Sequence, residues 1–419
     1  MWNTAKAMLD FSPGVRRFIA TEALLGLGVG IFQLVLNLHL LEMKLDEKQI
    51  GEITSVGALL MGLLSIPAGM MAGWAGRKNM FVLGMFLMGV GYAGFGLGET
   101  IPFFYASQLV LTLGLTLLVT SEIQLLYQYS RSQREETRAF SMLFAVFTLF
   151  VGVGTLLGGY LPKWLGGSTT VYQWTLFVAA IMHVLGALSR GLLLPSEPKP
   201  ETAPQAAAAI GTAADTAVRA RKSKLPSRSV WVLSVFTLLT GMAFGFTGPY
   251  LNVIVKFRLD WQDTTVSLLL MAAGFFTFAG SLIMPALLER AGVSKAFALA
   301  YAANIVLTLL LCMVFPVYIF CFVLLVRGGG FTLLTNMTES QAMSCIDERE
   351  RNIFAGMRTV CRSVGTSVAS YSAGVILAAK NYTTPFLLTA IVIAAGYLYF
   401  LVWVRPLFQA HAKQTETTR

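Results

Sequence analysis

A chain of 419 residues could by length build two or three soluble domains, but 56% hydrophobic and only 12% charged residues fit no ordinary water-soluble core. Lipid must therefore be the solvent for most of it. The net charge of +10 does not point to nucleic acid, because Lys and Arg collect at the ends of apolar runs instead of interleaving with aromatics on one face.

Runs of about 18 or more apolar residues can cross the hydrocarbon layer as helices. They recur at 15–41, 49–75, 79–98, 101–126, 138–162 and 171–194, and again at 229–255, 264–288, 294–313, 316–343, 352–379 and 384–405. The first follows Arg16 and Arg17 and continues past Leu41, too long for a signal-peptide core and with no small-x-small cleavage site behind it, so it reads as an uncleaved span. Residues 195–228 switch to Pro, Ala and charge with no apolar periodicity and read as a flexible cytoplasmic linker. The expected organisation is a six-helix bundle over 1–194, the linker, a second six-helix bundle over 229–406 and a cytoplasmic tail over 407–419. With the N-terminus inside, roughly 22 of the 31 Lys and Arg fall on the cytoplasmic side, about 6 outside and about 3 within spans. The expected fold is an all-α polytopic membrane protein of 12 transmembrane helices in two pseudo-symmetric bundles, with both termini in the cytoplasm.

The two halves match at a nearly constant offset, the mark of an internal repeat. LNLHLLEMKLD from Leu36 aligns with LNVIVKFRLD from Leu251, pairing Asn37 with Asn252 and, after one residue of slippage, Asp46 with Asp260. GLTLLVTSE from Gly114 aligns with GFTLLTNMTE from Gly330, the Gly76 turn with the Gly292 turn, and ETRAF ending at Phe140 with ERNIF ending at Phe354.

Two six-span halves joined by a basic linker resemble the major facilitator superfamily, above all its bacterial proton-coupled efflux members. That family's loop between spans two and three reads G-x-x-x-D-R-x-G-R-K. Here Gly69, Gly76, Arg77 and Lys78 keep the pattern, Gly73 and Trp74 stand in the acidic and basic places, and Glu289, Arg290 and Gly292 hold the corresponding charges in the second half. Gly154-Thr155-Leu156-Leu157-Gly158-Gly159 in span five is similar to the G-P-x-x-G-G core of drug–proton antiporters, with Thr in place of Pro; its other reading is plain close contact between helices. The resemblance implies a monomer in the lipid bilayer that moves a small molecule with protons, with spans one, four, seven and ten lining a central cavity.

Polar side chains on those four spans are costly unless a pathway or partner receives them. Thr112, Thr116 and Thr120 recur every fourth residue on span four, either as a wetted stripe or as hydroxyls bonded back to their own helix. Gln33 and Asn37 lie a turn apart on span one. Asn252 takes the repeat position on span seven, beside Pro249, which is expected to disturb the helix; an amide bond between helices is the other reading. Thr332 and Asn336 join the cavity set on span ten. Arg327, in LLVRGGGF at the middle of that span, would cost on the order of 3 kcal/mol uncompensated, so it either faces the cavity as a clamp for carboxylate or phosphate or sits in a buried ion pair.

Glu22, about a turn and a half inside span one, is the candidate proton site, with a salt bridge to Arg16 or Arg17 as the alternative. An inner gate is expected from Arg77, Glu122, Glu289, Arg290, Glu339, Arg358 and Arg362. Glu339 and Arg358 would form a salt bridge, and Glu122 would meet Arg362 as a latch.

No G-x-x-x-x-G-K-[ST] loop for nucleotide is present, His39, His183 and His411 are scattered, and Cys312, Cys321, Cys345 and Cys361 lack metal or disulfide spacing. No cofactor, metal or nucleic acid is therefore expected, and neither an enzyme nor a receptor with a soluble output domain fits. The expected function is proton-coupled efflux of a small organic solute across the cytoplasmic membrane, by antiport; the alternative is proton-coupled uptake of an anionic metabolite.

Overall fold

The computed structural model describes residues 11–167, 169–195, 226–347 and 350–409. The body of the expected linker, the end of the expected tail and His411 lie outside them. Among the described residues all regular structure is helical. Helices α1 (Pro13–Glu42), α2 (Glu47–Ala75), α3 (Arg77–Leu97), α4 (Ile101–Tyr129), α5 (Gln133–Leu165) and α6 (Gln173–Leu193) form the first half. In the second half α7 covers Arg228–Leu259, interrupted after Gly245 and resumed through a 3-10 turn at Gly248–Tyr250, where Pro249 supplies no amide donor. The 48-residue helix Asp263–Leu310 breaks at Gly292 (φ 71°, ψ 160°) into α8 (263–291) and α9 (293–310). Then follow α10 (Val317–Ser344), α11 (Arg351–Ala378) and α12 (Thr384–Tyr399), which continues through a π-helical turn at Phe400–Val404 to Gln409.

Among the described residues eleven segments are long and apolar enough to cross a membrane. The twelfth, α11, has the length but is more polar, with Arg358, Arg362, Ser363, Ser367 and Ser370 along it. The outer surface agrees with a lipid solvent: on α6, Ile181, Leu185, Leu188 and Leu192 are exposed at helical spacing while Leu176, Ala180, His183, Ala187 and Arg190 are buried.

The chain divides into two compact units, Met1–Met43 with Leu63–Ser223 and Lys44–Gly62 with Lys224–Arg419, so the first part of α2 groups with the second unit. Within the first unit α1 packs along α5 and α6, and α3 along α4 and α6. Within the second, α7 packs along α11 and α12, and the 263–310 helix along α10 and α12, the same pairing scheme one half later. Backbone conformation gives an independent sign of the repeat. Lys44 and Asp260, Gly76 and Gly292, and Gly166 and Lys380 all have positive φ, and the paired positions lie 216, 216 and 214 residues apart. They also correct one alignment: Asp260 corresponds to Lys44, not Asp46, because both are left-handed residues just past a helix end.

Close approach through glycine sets the helix pairs, as lipid gives neighbouring helices no hydrophobic incentive to associate. A Cβ at Gly154 would stand 2.3 Å from the Leu27 carbonyl oxygen, and one at Gly241 2.3 Å from that of Arg362. The span-five glycine run thus serves contact between α1 and α5, and it gives no support to the direction of transport. The start of α1 is fixed from outside: Ser12 caps it by accepting from Val15 N (3.3 Å), while Glu135, at the start of α5, accepts from Ser12 N at 2.6 Å and Arg131 N at 2.7 Å. Partial burial alone would push the Glu135 carboxyl up, but these amide donors hold it below the usual carboxylate range.

Candidate functional site

In the first unit a charged cluster occupies the apolar interior between α1, α4 and α6. Glu22 on α1 is 1% exposed and forms an ion pair with Nη2 of Arg190 on α6, which is fully buried. Arg190 Nε donates to Thr21 Oγ1 at 3.0 Å, Nη1 lies 3.7 Å from Met85 Sδ, and the guanidinium stacks over the rings of Phe18 (5.1 Å) and Phe81 (4.4 Å). Glu122, half-buried on α4, interacts electrostatically with the Glu22 carboxyl. Two carboxyls beside one guanidinium make a neutral set when one of them holds a proton.

This arrangement corrects one expectation. Glu22 does not pair with Arg16 or Arg17; Arg17 Nη1 donates to the Leu193 carbonyl oxygen (3.1 Å) at the end of α6. Glu122 is engaged within the first unit, and Arg362 is bound by Glu339 within the second. Arg190 was missed by sequence reasoning. The signal was present: a cation three residues inside the end of span six, on the side of the membrane where span one begins.

In the second unit Glu339 on α10 receives two arginines of α11: Arg362 Nη1 and, at 3.8 Å, Arg358 Nη1. Glu289 and Arg290 are exposed on the turn before Gly292, with no ion pair to either among the described residues. Arg77 opens α3 and is half-buried. Lys380, after α11, bonds Glu47 Oε1 at 2.7 Å. That hydrogen bond holds its ammonium above the usual lysine range.

The expected cavity residues divide by environment. Thr112, Thr116, Asn37 and Asn252 are buried, Thr120, Thr332 and Asn336 half-buried and Gln33 exposed. Thr116 donates to Thr112 O at 2.7 Å and Thr120 to Thr116 O at 2.8 Å, so these two hydroxyls bond back to their own helix and keep only acceptor capacity, whereas the Thr112 hydroxyl accepts from Gln108 Nε2 at 3.2 Å. Thr332 likewise donates to Gly328 O, and Asn336 to Ser281 Oγ at 3.0 Å. His39 lies between the Thr170 hydroxyl (2.6 Å) and the Phe95 carbonyl (3.0 Å), a packed and hydrogen-bonded histidine. No cluster of three or more His, Cys, Asp or Glu able to hold a metal occurs among the described residues.

Arg327 is the exception. It is 8% exposed, and its polar contact is one long approach of Nη1 to Thr247 Oγ1 (3.5 Å), at the interruption of α7. The Phe331 ring stands 4.9 Å from its Cζ, while Nε and Nη2 are buried without partners and no carboxylate lies within ion-pair distance among the described residues. Neighbouring Gly329 is taken up by α8, where a Cβ would stand 2.5 Å from Phe276 O, whereas a Cβ on Gly328 would meet nothing within 4 Å.

The sequence matches the family model described as Major Facilitator Superfamily over residues 18–369 and 233–418. No protein of curated function matches it in sequence. Among solved structures it is similar to the human organic anion transporter MFSD10 (TETRAN), at 15% identity over 92% of this chain and 99% of that one, TM-score 0.64. It is also similar to a bacterial homologue of the iron transporter ferroportin in an inward-facing state, at 14% identity over 93% and 98% of the two chains, TM-score 0.70. The nucleoside transporter NupG matches at 14% identity over 92% and 98%, TM-score 0.70.

Proposed function

The chain belongs to the major facilitator superfamily, and from that premise we propose that it is a proton-coupled secondary active transporter carrying a small organic solute across the cytoplasmic membrane by alternating access. It is a transporter, not an enzyme. Proton coupling rests on the Glu22–Glu122–Arg190 cluster. With one proton the cluster is neutral; without it, it carries a net negative charge that a dry helix bundle tolerates poorly. Water admitted as the surrounding helices part lets the proton leave, and closing the bundle favours its return, so the proton and the conformational cycle are linked. The distribution of Lys and Arg in the sequence supports cytoplasmic termini.

Export is the direction inferred from the apolar, aromatic-rich helices. Arg327 favours a second reading, uptake of an anionic metabolite with its proton. The test is reconstitution into vesicles holding a pH-sensitive dye, with cationic, neutral and anionic solutes added under a proton gradient. Solute-dependent proton movement is expected in the wild type and is lost in Glu22→Gln and Glu122→Gln, while exchange of labelled for unlabelled solute persists. Solute flux without any proton signal would overturn the reading, as would an unaltered signal in both variants. Proton and solute moving in opposite directions identify export; movement together identifies uptake.

A further inference from the structure

Among the described residues two arginines are deeply buried, in very different states. Arg190 is saturated by a carboxylate, a hydroxyl, a thioether and two aromatic faces. Arg327 has one ring and one contact at the limit of hydrogen-bond length. A guanidinium cannot escape its charge by losing its proton, so a buried one without an anion is an incomplete site.

The geometry of what is missing is specific. Nη1 is the nitrogen turned toward Thr247, while the two unpartnered nitrogens, Nε and Nη2, share one edge of the guanidinium plane. Their N–H bonds run parallel, which is the fork that receives two oxygens of one carboxylate or phosphate. Phe331 covers the guanidinium and restrains its plane, the interruption of α7 at Thr247 lies beside it, and Gly328 leaves open space on the adjoining face of α10. Interrupted helices are where transporters of this kind expose backbone groups to a ligand.

Building on the transporter reading, we infer that Arg327, with Thr247 beside it, is the recognition site for an acidic group of the transported solute, a carboxylate or phosphate held side-on by Nε and Nη2. The remainder of the solute then lies toward the open face at Gly328. The site selects for anionic solutes and against isosteric neutral ones.

Binding tests this without requiring transport or proton coupling. Purified full-length protein is titrated with benzoate, phenyl phosphate and the neutral analogue benzamide, following ligand-induced thermal stabilisation and direct calorimetric binding. At least one of the two anions should bind at least tenfold more tightly than benzamide. That preference should vanish in Arg327→Gln and fall severalfold in Thr247→Val, which keeps the charge; Arg327→Lys should retain attraction but lose most of the affinity because it has no fork. Equal binding of benzamide, binding of neither anion, or an anion preference intact in Arg327→Gln overturns the assignment. If Arg327→Gln fails to fold, Thr247→Val and Arg327→Lys decide. Repeating the titration in nanodiscs of zwitterionic lipid, with and without phosphatidylglycerol, separates a solute from a lipid headgroup; protection that requires the anionic lipid overturns the solute assignment. Anion binding without proton flux would leave this site standing and remove the coupling proposal, and the reverse result would do the opposite.

Discussion

Replacing Arg190 by Met removes the cation from a cluster in which Glu22 is 1% exposed and Glu122 interacts with it electrostatically. Breaking a buried ion pair by deleting one partner costs about 3–5 kcal/mol, because the charge left behind has no compensation. The hydrogen bond to Thr21 and the stacking on Phe18 and Phe81 are lost as well. Replacing both charges by apolar residues, in Glu22→Leu with Arg190→Met, removes the uncompensated charge and should be far less destabilising than the sum of the single changes. The expected coupling between the positions is about 2 kcal/mol or more. Reversible unfolding in mixed detergent–SDS micelles, applied to the wild type, both single variants and the double variant, measures it. Simple additivity, or a cost of less than about 1 kcal/mol for Arg190→Met, would refute the reasoning.

Gly154→Val should destabilise the first unit by about 1–3 kcal/mol in the same assay, since its Cβ would stand 2.3 Å from the Leu27 carbonyl oxygen. Asp260→Gly should stabilise by up to about 1 kcal/mol, because Asp260 holds a left-handed conformation (φ 51°) that glycine adopts without steric cost. The Glu135 carboxyl is held low in the folded protein, so its contribution is present above the usual carboxylate range and lost as pH falls through its folded value. Glu135→Gln should flatten the acid limb of a thermal-stability profile by about 1 kcal/mol, after allowance for solvent exposure. Lys380 is raised by Glu47, so its contribution is complete below the usual lysine value and disappears as pH climbs past the folded one. With 67% of its side chain exposed, Lys380→Met should remove less than about 1 kcal/mol at neutral pH and flatten the alkaline limb, where the wild type has already lost that contribution.

The fold was legible because its causes are written locally. Apolar runs of spanning length fix the helices, and the matched turns at Gly76 and Gly292 reappear as matched left-handed residues. Arg327 was legible for a related reason: a cation in the middle of an apolar run has few explanations. The charge partners were harder to read. Glu22 and Arg190 are 168 residues apart in sequence, and their meeting depends on how α1 and α6 are rotated about their axes, which periodicity cannot give for helices apolar on nearly every face. Glu122 and Glu339 occupy corresponding places in the repeated segments, yet the first turns to a carboxyl and the second to two arginines. The threonines of α4 show the limit of side-chain type as evidence, since Thr116 and Thr120 use their donors on their own helix.

Infrared difference spectroscopy of the purified protein, recorded between neutral and alkaline pH in wild type, Glu22→Gln and Glu122→Gln, observes the proton itself. A protonated-carboxyl band should persist to neutral pH in the wild type, respond to addition of a transported solute and vanish in both variants. A wild-type spectrum without such a band, or one unaltered by both substitutions, would contradict a proton shared between Glu22 and Glu122.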